Sequence, residues 1–200
     1  MFKKALVLFM LIFLMQNVLA QKPGNESDKT YEKIGFSVLP FINGTFQLQF
    51  ESLNESGNSV WLAPSVTYID NDYDKITGGG MEIQYRLYVF EKITEKHIKN
   101  IYFAPYGFYK HFVFQETHYY DYPYNYEEDY VPTTSDKKIN VFGGGMLFGM
   151  QYVFAERVHI DFYIGGGLRK ADKENYYDTV VEPGYSGLAP KLGIDLGFSF

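Results

Sequence analysis

The sequence predicts an all-β fold: an eight-stranded antiparallel up-and-down transmembrane β-barrel. Three observations predict it. From Ile34 onward the chain divides into short segments in which apolar residues recur at every second position, the period of a strand. The intervening positions are polar, and several carry charge. The strand count is even, and the connections on one side of the predicted barrel are the longer ones, as in a single-chain barrel with both ends on the same side of a membrane.

The first 20 residues read as a secretory signal peptide. Lys3 and Lys4 form a basic start, Ala5 to Met15 is an unbroken apolar run, and Val18-Leu19-Ala20 reads as a cleavage site before Gln21. The run is too short to span a bilayer comfortably as a helix. Residues 21–33 are polar without a period and read as a flexible periplasmic segment. Residues 34–200 are assigned to the barrel. Removal of the leader takes two of the 18 basic residues and none of the 24 acidic ones, so the mature chain is strongly acidic. That balance argues against nucleic acid as a partner. The chain has no cysteine, so a secreted form must gain rigidity from something other than disulfides, and closure of a sheet supplies it.

The first strand is expected over Ile34–Phe41 and the second over Thr45–Leu53. Phe46, Leu48 and Phe50 share one face of the second; Gln47, Gln49 and Glu51 share the other. Ile42-Asn43-Gly44 is expected to be a three-residue hairpin loop, with Gly44 taking the positive φ. The third strand, Ser59–Ile69, sets Val60, Leu62, Val66 and Tyr68 against Ser59, Trp61, Ala63, Ser65 and Thr67. The fourth sets Met81, Ile83, Tyr85, Leu87 and Val89 against Glu82, Gln84, Arg86 and Tyr88. In the fifth, Ile101–Gln115, the greasy face is read as Tyr102, Ala104, Tyr106, Phe108, Phe112 and Phe114, with Lys110 breaking the pattern. The sixth, Lys138–Phe154, turns Gly143, Gly145, Gly149 and Gln151 inward. The seventh, Val158–Lys170, turns His159, Asp161, Tyr163, Gly165, Gly167 and Arg169 inward. The eighth runs from Leu188 to the C-terminus, with Leu192, Ile194, Leu196, Phe198 and Phe200 on its apolar face.

The loops predicted to face outward are 42–44, 70–76, 116–137 and 171–187. The turns predicted to face the periplasm are 54–58, 91–100 and 155–157, of which 91–100 is long for its side. Pro40, Pro64, Pro105 and Pro190 fall within predicted strands, where each removes one ladder donor. Bulges or strand-end positions are expected there.

The greasy face is placed toward lipid. The polar face carries Glu51, Glu82, Arg86, His159, Asp161, Arg169, Lys191 and Asp195, too many charges for a dry ligand pocket. Aromatic residues gather near strand ends, as in the girdles of membrane barrels. Backbone groups cannot be left unpaired in hydrocarbon, so the sheet must close.

The runs Gly-Thr-Phe-x-Leu-x-Phe-Glu (44–51), Glu-Ile-x-Tyr-Arg-Leu-Tyr (82–88) and Ala-Pro-Tyr-Gly-Phe-Tyr (104–109) resemble those of small outer-membrane barrels of Bacteroidetes whose function is unknown, loosely similar in architecture to the OmpX and OmpW groups. The resemblance covers most of the mature chain. It implies a location in the bacterial outer membrane. The closing strand with its terminal aromatic is similar to the address read by the barrel-assembly machinery, which would make Leu196, Phe198 and Phe200 an assembly signal.

The eight charged inward residues are read as a polar network that plugs the lumen, since an eight-stranded barrel is just wide enough for side chains to fill and charges there must pair. The alternative of a lipid A-modifying hydrolase rests on His159 and the nearby acids. No Ser stands beside His159 in the spacing such enzymes use. A second alternative is narrow passage of small apolar molecules. The segment 116–137 is the most unusual in the chain: Tyr119, Tyr120, Tyr122, Tyr124, Tyr126 and Tyr130 are interleaved with acids, and tyrosine suits a contact surface. The expectation is a non-enzymatic, monomeric barrel without cofactor or metal. Its partners would be outer-membrane lipids and, through the Tyr-rich loop, an extracellular ligand or surface partner.

Overall fold

The computed structural model describes residues 32–54, 57–70, 74–94, 97–118, 133–154, 157–172 and 185–199. These form eight strands and one short helix: β1 (Glu32–Ser37), α1 (Val38–Ile42), β2 (Thr45–Leu53), β3 (Ser59–Asp70), β4 (Asp74–Thr94), β5 (His97–His118), β6 (Thr133–Phe154), β7 (Val158–Ala171) and β8 (Gly187–Ser199). Each strand pairs antiparallel with the next, and β1 pairs with β8. The result is a closed barrel. The signal peptide, the Tyr-rich loop residues Tyr119–Tyr130 and the terminal Phe200 lie outside the described residues.

The register fixes the tilt. Partners followed once around from Lys33 run through Glu51, Trp61, Gln84, Tyr106, Gly145 and Gly167 to Ala189. The partner of Lys33 on β8 is Ser199. The circuit therefore misses its start by ten residues along β8, from Ala189 to Ser199. A stagger of that size on eight strands corresponds to a tilt of about 40°, within the usual range for such barrels.

Outside β5, the faces fall as the alternation predicts. Trp61, Gln84, Arg86, Leu147, Gln151, Asp161 and Asp195 are buried inside, and Leu62, Ile83, Phe148, Ile164 and Leu192 are exposed outside. The outer surface is thus an apolar belt. No helix among the described residues is long and apolar enough to cross a membrane; the strands make the belt.

The strand β5 corrects the sequence reading. Tyr102, Ala104, Tyr106, Phe112 and Phe114 are buried in the interior, and Phe103 and Tyr109 are exposed outside. Both faces of this strand are apolar, so alternation does not orient it. The tyrosine hydroxyls decide: Tyr102 finds a carboxylate partner, Asp161, inside the barrel. Lys110 then breaks no pattern, because it shares the lumenal face and stands over the Phe108 ring.

Three further expectations are corrected. The first strand is not Ile34–Phe41: it begins at Glu32 and ends at Ser37, so Lys33 belongs to the wall rather than to a flexible segment, and residues 38–42 form α1. Pro40 lies inside that segment and donates to no ladder. The turn after α1 does use Gly44 with φ +76°. Residues 91–100 are not a long turn, since β4 runs to Thr94 and β5 starts at His97. Pro64, Pro105 and Pro190 pair in register with Met81, Met146 and Gly166, and no bulge marks them. The irregularity in the β4–β5 ladder lies between Tyr88 and Phe90.

Inward glycines make room for flat tyrosines. Tyr102 pairs with Gly149 and Tyr163 with Gly193, and a Cβ on either glycine would lie 2.1 Å or 2.0 Å from the ring of its partner. Each ring covers the bare backbone across from it, the aromatic rescue of a strand glycine. Gly193→Val should therefore displace Tyr163 and cost about 1–3 kcal/mol as overpacking, measured by urea titration of the refolded barrel.

Candidate functional site

The lumen holds a chain of paired charges and hydrogen bonds to which every strand contributes a side chain. Its centre is Arg86 on β4, with 1% exposure. Arg86 Nη1 donates to Asp161 Oδ2 at 2.7 Å and to Glu51 Oε2 at 3.1 Å. Its Nε donates to Gln84 Oε1 at 3.2 Å. The guanidinium lies over the Tyr102 ring at 4.6 Å and over the Trp61 ring at 5.2 Å. Those flat contacts suit the planar guanidinium better than an ammonium.

Each carboxylate has further donors. Glu51 Oε1 accepts from Ser59 Oγ at 2.5 Å and from Tyr88 Oη at 2.6 Å. Both Asp161 oxygens accept from Tyr102 Oη at 3.0 Å. Lys33 Nζ reaches Glu51 Oε2 at 3.4 Å and donates to Gln151 Oε1 at 2.8 Å. The chain continues outward: Gln84 Nε2 donates to Glu82 Oε1 at 2.9 Å, and Lys191 Nζ pairs with the same oxygen. Buried charges tolerate such a place only when paired and hydrogen-bonded. Tyr102→Phe removes the one O–H that the two Asp161 oxygens share and should cost about 1.5–3 kcal/mol, read from the same urea titration.

Asp195 is less tightly held. Its Oδ2 lies 4.0 Å from Arg86 Nη2, beyond hydrogen-bond length. A cavity of about 20 Å³ adjoins both, bordered also by Lys33, Trp61 and His159. It has room for a bridging water and for nothing larger.

The eight residues singled out in the sequence thus divide three ways. Glu51, Glu82, Arg86, Asp161 and Lys191 form one linked chain, with Asp195 beside it. Arg169 lies toward the end of the barrel where β8 begins, donating from Nε to the Tyr185 carbonyl at 2.9 Å and lying over the Tyr185 ring. His159 turns elsewhere. Its Nε2 meets Ser199 Oγ.

A serine thus meets His159 in space, although none stands beside it in the sequence spacing considered above. Ser199 is 40 residues away in sequence, but His159 pairs with Gly197, so Ser199 is its diagonal neighbour across β7 and β8. The pair does not make a catalytic dyad of the usual kind. A serine nucleophile needs a histidine oriented by a third group, and among the described residues His159 Nδ1 has no hydrogen-bond partner. The adjoining cavity also admits no substrate.

Sequence reasoning missed Lys33, Tyr88 and Tyr102 as members of the chain. The parity of Lys33 with Gly35 and Ser37 places it on the lumenal face, a signal hidden once residues 21–33 are read as a tail. Among the described residues no group of three or more His, Asp or Glu side chains is placed to hold a metal.

No protein-family model matches the chain, and no curated protein matches it in sequence. Two solved structures are similar in fold. The N-terminal β-barrel domain of Pseudomonas aeruginosa OprF is 12% identical, with 86% of this chain and 98% of that one covered and a TM-score of 0.35. A major outer membrane protein from Thermus thermophilus is 10% identical, with 85% and 98% covered and a TM-score of 0.38. Neither is specific to the Bacteroidetes, OmpX or OmpW barrels, and at these scores neither carries an argument about activity.

Proposed function

We propose that the mature chain is an outer-membrane barrel that serves as a structural or surface-interaction protein, exported by its leader and cleaved near Ala20. The observation that supports this reading is the contrast between the two faces of the wall. Outside, Leu62, Ile83, Phe148, Ile164 and Leu192 present an apolar belt; inside, carboxylates and cations form one linked chain around Arg86. An exposed belt of this extent marks a lipid or partner surface, and a closed sheet is the form that strands take in lipid.

The barrel is read as non-enzymatic and monomeric, with its lumen filled. Interaction then falls to the outward connections, above all the tyrosine-rich segment around Tyr119–Tyr130. Assembly is assigned to the closing strand, Leu196, Phe198 and Phe200, as substrate of the barrel-assembly machinery.

Two measurements test this. After mild detergent extraction the protein should migrate differently on a gel before and after boiling; recovery in the soluble fraction with no such shift would contradict the reading. In planar bilayers the folded protein should give no lasting conductance steps. A steady open channel would refute the filled lumen while leaving the membrane location intact.

A further inference from the structure

The ladder is short along one seam of the wall. β8 pairs with β1 only from Ser199 to Asp195, where β1 ends at Ser37. Ser199 N donates to the Arg157 carbonyl, just before β7. The odd-numbered residues of β8 therefore hydrogen-bond toward β7 and the even-numbered ones toward β1. On β1, Ile34 and Phe36 exchange bonds with Phe198 and Leu196. Continued in register, the next such pairs would be Val38 with Ile194, Pro40 with Leu192 and Ile42 with Pro190. Two of these pairs contain a proline, which has no N–H to give. The chain coils into α1 instead, and among the described residues no backbone hydrogen bond joins α1 to β8.

The lumenal side of the same seam is bare. Gly35 faces Gly197 across it, so no side chains interlock at that pair. Directly behind lies the small cavity beside Asp195, bordered by Lys33, Ile34, Gly35 and Gly197 at the seam and by Arg86 and His159 within. Arg86 Nη2, His159 Nδ1 and both Asp195 carboxylate oxygens are buried without a hydrogen-bond partner. The neighbours of the seam are fastened to opposite sides of it. Lys33 pairs with Glu51 on β2, Phe41 packs edge-on against Phe46 on β2, and the Gly44 carbonyl accepts from Tyr68 N on β3. β8 is laddered to β7 from Phe198 to Gly187. The bond from Lys33 Nζ to Gln151 Oε1 on β6 spans the two sides.

We propose that the wall parts at the β1–β8 seam, with β1 and α1 staying on β2 and β8 staying on β7, and that parting admits water to the cavity among Arg86, His159 and Asp195. Opening gives up only the bonds of Ile34 and Phe36 to β8 and the Lys33–Gln151 contact, so it lies well below global unfolding. An unlaced strand edge in hydrocarbon is costly, and a β1 continued through residues 38–42 would remove that cost. Pro40 and Pro190 prevent it at the two places where lacing would hold the seam shut. The inference goes beyond the structural role: the filled lumen is reached from the side, through its wall.

Hydrogen exchange on the full-length mature protein in lipid vesicles reads the opening without any substitution. The amides of Ile34 and Phe36, which face β8, should exchange about tenfold faster than those of Asp161 and Tyr163 in the β7–β8 ladder. Gly35, whose N–H faces β2, should stay protected, which separates parting of the seam from fraying of the whole strand. The chain has no cysteine, so single cysteines report access cleanly. A charged methanethiosulfonate should modify Ser37→Cys, buried at the seam, about tenfold faster than Ser59→Cys, equally buried on β3. Pro40→Val combined with Pro190→Val restores both donors and should slow exchange at Ile34 and Phe36 and modification at Ser37→Cys to the control rates. Ile34 and Phe36 as protected as Asp161, Gly35 exchanging as fast as they do, or Ser37→Cys no more reactive than Ser59→Cys would overturn the proposal. So would a folded double-proline variant that exchanges like the wild type; if that variant does not fold, exchange in the wild type decides. Heat-modifiable migration is read first on each preparation. Its loss in the wild type strikes the membrane reading, whereas a heat-modifiable barrel with a fully protected seam strikes this inference alone.

Discussion

Arg86→Met is expected to lower the stability of the folded barrel by about 3–5 kcal/mol, the largest effect of any single change in the lumen. The guanidinium faces Glu51, Asp161 and Asp195 at once. Removing it leaves those carboxylates buried together, with Lys33 paired to Glu51, and an uncompensated buried charge costs more than the pair itself contributes. Arg86→Lys should recover only part of the loss. An ammonium reaches one carboxylate well but lacks the flat fork that spans Glu51, Asp161 and the rings of Trp61 and Tyr102. The triple variant Arg86→Met, Glu51→Gln, Asp161→Asn should be more stable than Arg86→Met alone, because it removes most of the unmatched charge. Equilibrium urea titration in lipid vesicles, read by the gel shift, measures all three. If Arg86→Met unfolds at the wild-type midpoint, the charge chain is not what fills and holds the lumen.

Ile83→Arg and Ile164→Arg are each expected to cost about 2–4 kcal/mol if they lie near the bilayer midplane. Both side chains stand on the outer face, 50% and 64% exposed, amid other apolar residues. Phe103→Arg should behave in the same way, and it tests the corrected orientation of β5. Were Tyr102 and Tyr106 the lipid-facing residues of that strand, an arginine at Phe103 would enter the polar lumen and be tolerated.

The barrel was legible from sequence where one face of a strand is unambiguously polar. In β4, the Glu82-x-Gln84-x-Arg86 series leaves one orientation only, and the same holds for His159 and Asp161 on β7. It was not legible in β5, where tyrosine serves both faces: Tyr102 gives its ring to Gly149 and Arg86 and its hydroxyl to Asp161. Periodicity cannot see that division of labour. The break at Ser37 was missed for another reason. Val38-Leu39-Pro40-Phe41 is apolar enough to continue a strand, and only the missing N–H of Pro40 argued otherwise. The members of the lumen chain were readable as inward positions but not as partners. Which of them meet depends on register: the ten-residue stagger brings Lys33 at the start of β1 to Gln151 on β6, and the β7–β8 pairing brings Ser199 to His159.

The most direct test of which face meets hydrocarbon uses Trp61, the one tryptophan in the chain, which is 1% exposed and sits in the lumen. The protein is refolded into vesicles of phosphatidylcholine with brominated acyl chains, and its fluorescence is compared with that of the double variant Trp61→Phe, Ile164→Trp. Bromine quenches only at close approach, so the account predicts a largely unquenched wild type and a strongly quenched double variant. Strong quenching of Trp61 together with a bright double variant would mean that lipid touches the polar face, and the assignment of inside and outside would be wrong.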